Sequence, residues 1–286
     1  MKDFLNDPET DRIIKDAFRE DIGSGDHTSL STIPSGKTAS ARAIFKDTGI
    51  VAGVALAQRI FEVADPRLQT QILIQDGTPV APGDIVLTVS GDPRSIVMAE
   101  RLVLNLMQRM SAIATTTRHV VDLLKGTGCR VLDTRKTTPL IRHMEKWAVV
   151  IGGGTNHRFG LYDMIMIKDN HVDYAGGIAP AIRACKRYLS THNLPLLIEV
   201  ETRNLEEVRA VLAEGGVHRI LLDNMSPAMI REAVTLIGDQ AETEASGGIT
   251  LETVRAFAET GVNFVSMGAL THSVKSMDIS LKAVPV

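Results

Sequence analysis

Four segments in the second half of the chain decide the fold: Leu196-Leu-Ile-Glu-Val-Glu201, Arg219-Ile-Leu-Leu-Asp223, Ala241-Glu-Thr-Glu-Ala-Ser246 and Phe264-Val-Ser-Met-Gly268. Each is short, carries apolar residues, and ends on a polar residue or a glycine. Those ends recur at a near-constant step, at positions 201, 223, 246 and 268. Helical stretches lie between them. Asn204 has Glu207 three residues on, a capping-box spacing. Ser226-Pro227 offers an N-cap followed by proline at the first helical position, and Thr250 is expected to open another helix. This alternation predicts parallel strands joined by crossover helices. Two earlier strands, over 130–135 and 164–168, end on Arg135-Lys136 and Lys168. In a closed barrel all such ends meet on one face, where barrel active sites sit. An open doubly wound sheet also gathers ligands there. A barrel with fewer than eight strands is the expected form.

Working outward, residues 9–21 read as a helix with Ile13, Ile14, Ala17 and Phe18 on one face, ended by Gly23. Residues 38–46, 69–75 and 84–90 read as strands, with turn chemistry over Asp76–Asp84. Residues 94–124 have helical periodicity, and the pattern allows a break near Ser111. The whole is an α/β chain.

Composition narrows the function. An apolar fraction of 44% in 286 residues suits an ordinary globular protein with one large core, or one large and one small. A net charge of −3 offers no global basic field for nucleic acid, so any anion site must be a local cluster. The apolar runs are too short and too interrupted for a membrane helix. Cys129 and Cys185 are too few for a disulfide framework and read as reduced packing residues. A cytoplasmic location is the expectation.

The densest cationic stretch is 130–171, with Arg130, Arg135, Lys136, Arg142, Lys146, Arg158 and Lys168, and with His143, His157 and His171. Several cations in one pocket repel unless an anion binds, and Arg and Lys suit carboxylates and phosphates. Arg135, Lys136 and Lys168 at strand ends therefore point to a polyanionic substrate. Arg142, His143 and Lys146 fall in a helical stretch and read as a solvated face. Gly152-Gly-Gly154 allows a close backbone approach but carries no nucleotide-binding fingerprint. Glu201 and Asp223 end neighbouring segments, a pair able to hold ribose hydroxyls or a divalent cation. Ser246-Gly-Gly248 before a helix start, with Gly268 one segment later, suits a phosphate. Arg101, Arg118 and His119 are bland by themselves.

Taken together, Asp133-Thr-Arg-Lys-Thr-Thr-Pro139, Gly152-Gly-Gly-Thr-Asn-His-Arg158, Ile167-Lys-Asp-Asn-His171, Glu199-Val-Glu201, Leu222-Asp-Asn224, Ala245-Ser-Gly-Gly248 and Met267-Gly-Ala-Leu-Thr-His272 resemble the quinolinate phosphoribosyltransferase family. The resemblance covers essentially the whole chain. It implies an N-terminal α/β sandwich over 1–110, joined by the tail 271–286, and an incomplete α/β barrel over 111–270. It implies transfer of phosphoribosyl from 5-phosphoribosyl-1-pyrophosphate to quinolinate with loss of CO2, using Mg2+. Arg135, Lys136, His157, Arg158 and Lys168 would bind the quinolinate carboxylates and the pyrophosphate. Glu201 and Asp223 would attend the ribose and Mg2+, and Ser246, Gly247, Gly248 and Gly268 the 5-phosphate. Lys136, Lys168, Glu201 and Asp223 are the expected catalytic set. Arg101 would reach the neighbouring subunit's site in a homodimer or a hexamer of dimers. One departure is local: where the family often has Gly-Leu-Arg after the Thr-Thr-Pro string, this chain has Leu140-Ile-Arg142, at a position where glycine suits a turn.

Overall fold

The computed structural model describes residues 3–284. The first two residues of the expected N-terminal unit and the last two of the tail lie outside that range. The chain opens with α1 (Pro8–Ile22) and α2 (His27–Thr32). Asp7 caps α1 by accepting from Glu9 N–H, Pro8 starts it, and Gly23 ends it as the sequence predicts. Then come β1 (Ala39–Phe45), β2 (Gly49–Ile50), α3 (Val54–Ala64), β3 (Gln69–Ile72), β4 (Pro79–Val80), β5 (Ile85–Gly91) and α4 (Pro93–Leu123). The helix α4 runs without a break. Ser111 is buried within it, and its hydroxyl serves the backbone of Ala52 in both directions, accepting from the N–H and donating to the carbonyl. The remaining elements are β6 (Arg130–Leu132), α5 (Arg142–Ile151), β7 (Ile165–Ile167), α6 (Asp169–Ala175), α7 (Ile178–His192), β8 (Ile198–Thr202), α8 (Leu205–Glu214), β9 (Arg219–Asp223), α9 (Pro227–Ile237), β10 (Glu242–Ser246), α10 (Val254–Ala258), β11 (Phe264–Ser266), α11 (Ala269–His272) and β12 (Ile279–Val284).

The chain forms two compact units. One takes residues up to Arg118, Thr137–Gly153 and the chain from Leu270 on. Its sheet has the order β12-β1-β5-β3, antiparallel throughout, so the tail strand β12 completes the edge beside β1. This division differs from the expected one, 1–110 with the tail 271–286 against 111–270, because the first unit runs on to Arg118 and also takes Thr137–Gly153, which holds α5. His143, Glu145 and Lys146 of α5 are buried, contrary to the solvated face read from sequence. Glu145 accepts from Arg109 Nε at 2.7 Å and from Thr138 N–H at 3.1 Å, and His143 Nε2 lies 3.1 Å from Thr10 Oγ1. Polar partners supplied by α1 and α4 make this burial affordable; the helix's own sequence could not show them.

Leu140, just before α5, stands where the resemblance places glycine. It has φ 69 and is 78% exposed. That backbone region is strained for a side chain with a Cβ, and an exposed leucine there gains little from burial. Leu140→Gly is expected to raise the unfolding free energy by about 0.5–1 kcal/mol in denaturant titrations.

The second unit, His119–Lys136 with Gly154–Ala269, holds six parallel strands in the order β6-β11-β10-β9-β8-β7. Val200, Ile220, Leu222, Ala245 and Val265 alternate onto one face and are fully buried. A strand buried on that face sets the register, since a one-residue slip would exchange the two faces. The other face carries Glu199, Arg219, Glu244, Phe264 and Arg130. A parallel bridge between Leu132 and Thr155 adds a rudimentary strand beside β6. The chain then passes from Thr155 to β7 at the opposite edge of the sheet within ten residues, so the 156–164 segment closes the ring. This is the incomplete α/β barrel expected from the sequence. The helix expected to open at Thr250 starts only at Val254, after a turn in which Thr253 Oγ1 accepts from Thr250 N–H.

Candidate active site

The site is assembled at the C-terminal ends of the parallel strands. Beyond β6, Asp133 is buried and organises the segment facing it. It accepts His157 N–H at 2.8 Å and Asn156 Nδ2 at 2.6 Å, fixing both residues next to the strand that leads into Arg135 and Lys136. Arg135 and Lys136 are exposed, and Lys136 N–H donates to Thr134 Oγ1. Arg158 is half-buried, with Nη1 donating to the Met164 carbonyl at 3.2 Å. Burial first, and then the neighbouring Arg135 charge, pull its pKa below the usual guanidinium value. Two guanidiniums that disfavour each other's charge are chemically suited to an anion between them.

On the next edge, Lys168 follows β7, and its Nζ lies 3.3 Å from Glu201 Oε2 at the end of β8. Asp223 ends β9, and its Oδ2 accepts from Asn224 Nδ2 at 2.6 Å. Asn224 is in the left-handed region, with φ 53, and its N–H donates to the Ser246 carbonyl at the end of β10. Gly247 has φ 99, and a Cβ built on it would run into the Asn224 side chain and lie 2.8 Å from its backbone nitrogen. Glycine is therefore required where the 246–248 turn passes the β9 end. Gly248 also has positive φ, and Gly268 follows β11. Arg135, Lys136, Arg158, Lys168, Glu201, Asp223, the Ser246–Gly248 turn and Gly268 thus share one end of one barrel. Arg101 belongs to the other unit, exposed on α4.

His157 is placed differently from these side chains. It is 8% exposed, and its ring lies inside the barrel. Nε2 is 3.0 Å from Glu199 Oε2 and 3.4 Å from Glu244 Oε2, while the Arg158 N–H donates to Nδ1. Arg219 Nη1 is 3.2 Å from Glu244 Oε2, and the Arg130 and Arg219 guanidiniums lie over the Phe264 ring at 4.6 and 4.2 Å. Burial by itself would lower the His157 pKa; contacts with Glu199 and Glu244 outweigh it and raise the value to about 9. Burial, and then the charge of Glu244, push Glu199 up. Burial would push Glu244 up as well, but His157 and Arg219 hold it down. Raised in the folded state above its ordinary 6.5, His157 contributes stability that is present below that pH and is lost as pH rises through about 9. Unfolding free energy should therefore fall between pH 7 and 9.5 by on the order of 1–3 kcal/mol. His157→Gln should flatten that fall in denaturant titrations across the range.

Sequence reading missed Glu199, Arg219 and Glu244. A signal was available: Glu199 and Glu201, Arg219 and Asp223, and Glu244 and Ser246 each share a face by alternation along one strand.

Comparisons with known proteins identify the family. Residues 26–111 match the model of the quinolinate phosphoribosyl transferase N-terminal domain, and residues 113–282 that of its C-terminal domain. The chloroplastic nicotinate-nucleotide pyrophosphorylase [carboxylating] of Arabidopsis thaliana is 50% identical, over 94% of this chain and 81% of that protein. The probable nicotinate-nucleotide pyrophosphorylase [carboxylating] of Bacillus subtilis is 43% identical, over 97% and 94%. Among solved structures, NadC from Streptococcus pyogenes superposes with a TM-score of 0.90 at 38% identity, over 97% of this chain and 98% of that one. The nicotinate-nucleotide pyrophosphorylase from Francisella tularensis does so at 0.91 and 34% identity, over 99% and 100%. With both family models matched in chain order and relatives this similar along most of its length, the chain belongs to the quinolinate phosphoribosyltransferase family.

Proposed function

We propose that this chain transfers the phosphoribosyl group of 5-phosphoribosyl-1-pyrophosphate to quinolinate with decarboxylation, giving nicotinate mononucleotide, pyrophosphate and CO2, a step of NAD biosynthesis. The observation that carries the reading is the gathering of Arg135, Lys136, Arg158 and Lys168 with Glu201 and Asp223 at one barrel end. Quinolinate brings two carboxylates and the donor brings a phosphate and a pyrophosphate, a demand that the cations match. Arg135 and Arg158 grip the dicarboxylate, with His157 packed behind Arg158. Lys136 and Lys168 take the pyrophosphate end, Glu201 and Asp223 the ribose hydroxyls, and the Ser246–Gly248 turn with Gly268 the 5-phosphate.

The pyridine nitrogen attacks ribose C1 as the bond from C1 to the pyrophosphate oxygen breaks. Positive charge develops on the sugar, as in other glycosyl transfers, and the Glu201 and Asp223 carboxylates would stabilise it. The ring nitrogen, now quaternary, draws electrons from C2. The bond from C2 to its carboxylate then breaks, CO2 leaves, and C2 takes up a proton. The work of the residues is positioning and electrostatics, with no covalent intermediate.

Glu201 and Asp223 are hard oxygen donors of the type that Mg2+ takes one or two of beside substrate phosphates. Lys168 and Asn224 occupy one oxygen of each, so each carboxylate keeps a second for the metal. Bound there, Mg2+ would neutralise part of the pyrophosphate charge. Arg101 serves the site of a second copy in a homodimer. Arg101→Ala and Lys136→Ala subunits, each inactive, should then regain about a quarter to a half of one site's activity when mixed, and confirmed mixing without recovery would contradict it. No helix among the described residues is long and apolar enough to cross a membrane. Both cysteines are free, which suits a reducing cytoplasm.

The test is an assay with purified protein, the phosphoribosyl donor, Mg2+ and quinolinate labelled at the 2-carboxylate. Labelled CO2 and nicotinate mononucleotide should appear in equal amounts. Transfer without CO2 release would identify a non-decarboxylating relative.

A further inference from the structure

We infer that Glu199 and Glu244 are positioning residues: they hold the His157 ring across the barrel interior, and so keep Arg158 at the mouth beside Arg135. The inference rests on reading that mouth as the quinolinate site. Its structural half is independent of that reading.

The geometry begins with the sheet order. Thr155 pairs with Leu132 of β6, so His157 enters from the β6 side of the sheet. In the order β6-β11-β10-β9-β8-β7, β10 lies two strands from β6 and β8 four. The contacts of His157 with Glu244 and Glu199 therefore cross the inside of the rolled sheet. Asp133 fixes the backbone of the segment and the two glutamates fix its ring, leaving Arg158 little freedom. That restraint matters because Arg158 is partly desolvated and is repelled by Arg135.

The layer is built of charged groups. Glu199 and Glu244 are 0% and 1% exposed, and Arg219 offsets one of them. His157 Nε2 stands 3.0 Å from Glu199 and 3.4 Å from Glu244, on the side of the ring opposite the Nδ1 that accepts the Arg158 N–H. The same three groups have ligand atoms within 4.8 Å of one another, a spacing that a metal ion could also use. The groups facing the ring are Glu199 of β8, Arg219 of β9 and Glu244 of β10, with Ser266 of β11 bonded to Glu244 and Asp133 on the His157 backbone.

The experiment compares wild type with Glu199→Gln, Glu244→Gln, His157→Gln and the double variant His157→Gln/Glu199→Gln. Readouts are KM for quinolinate, kcat, thermal midpoint, bound metal, and the NMR resonance of the Arg158 Nε–H group without substrate. Each single change should raise KM by about tenfold or more with kcat within about threefold, the pattern of lost ground-state placement. The double variant should lose no more than the worse single, because both act through one contact. The Arg158 resonance should move in every variant. Unchanged KM with a lowered midpoint would reduce the glutamates to a structural role and overturn the inference. Multiplying losses in the double variant, or stoichiometric metal in wild type that Glu199→Gln loses, would also overturn it. Should Glu199→Gln fail to fold, Glu244→Gln and His157→Gln decide. If wild type does not turn over quinolinate, the functional reading falls, and the Arg158 resonance alone judges the strut: a shift upholds it, constancy overturns it.

Discussion

Lys168→Ala is expected to lower kcat by about a hundredfold or more while the protein stays folded, because the lysine acts on charge that appears only as the reaction proceeds. Lys168 caps α6 just beyond β7, and its ammonium is 3.3 Å from Glu201 Oε2. It is half-exposed, so its ion pair adds little stability. In the proposed reaction it would stand between the carboxylate that attends the sugar and the leaving pyrophosphate. Removing it withdraws charge from the leaving group and frees Glu201 to repel it. The two effects add, which places this among the largest single losses. Steady-state kinetics with circular dichroism on the same sample checks the expectation; near-normal kcat would remove Lys168 from the catalytic set.

Arg135→Ala is expected to lower kcat/KM by about a hundredfold or more, a typical cost for a lost charge-assisted contact in the transition state. Arg135 is exposed, and after burial its charge is the next cause of the lowered Arg158 pKa. Removing it relieves that repulsion, so the protein should become no less stable while its activity falls. Opposite signs for stability and activity mark a binding group and distinguish it from a packing one. A parallel loss of both in thermal melts and kinetics would recast Arg135 as a structural residue.

The barrel was legible in the sequence because its strands obey local rules. The apolar residues of β8 to β11 alternate or cluster, and the polar ends recur at a constant step. Those local rules place Arg135, Lys168, Glu201 and Asp223 at one end of the barrel. The interior of the barrel was not legible. Glu199, Arg219 and Glu244 are charged strand residues, and their burial depends on partners from other strands and on a histidine from a loop. The same holds for α5, whose His143 and Glu145 look solvent-facing until Thr10 and Arg109 arrive from far along the chain. Charge burial is a tertiary property, whereas strand alternation is a local one. The Thr250 start failed for a smaller reason. Thr250 does turn the chain, through Thr253, but the helix proper waits four residues.

One barrel end is expected to hold the dicarboxylate between Arg135 and Arg158, with Lys168, Glu201 and Asp223 around it. A crystal structure with phthalate, an unreactive dicarboxylate of the same shape as quinolinate, tests it most directly. The account predicts the ligand at that end, its carboxylates within hydrogen-bond distance of the Arg135 and Arg158 guanidiniums. Phthalate bound elsewhere, with both arginines turned away from it, would contradict the account.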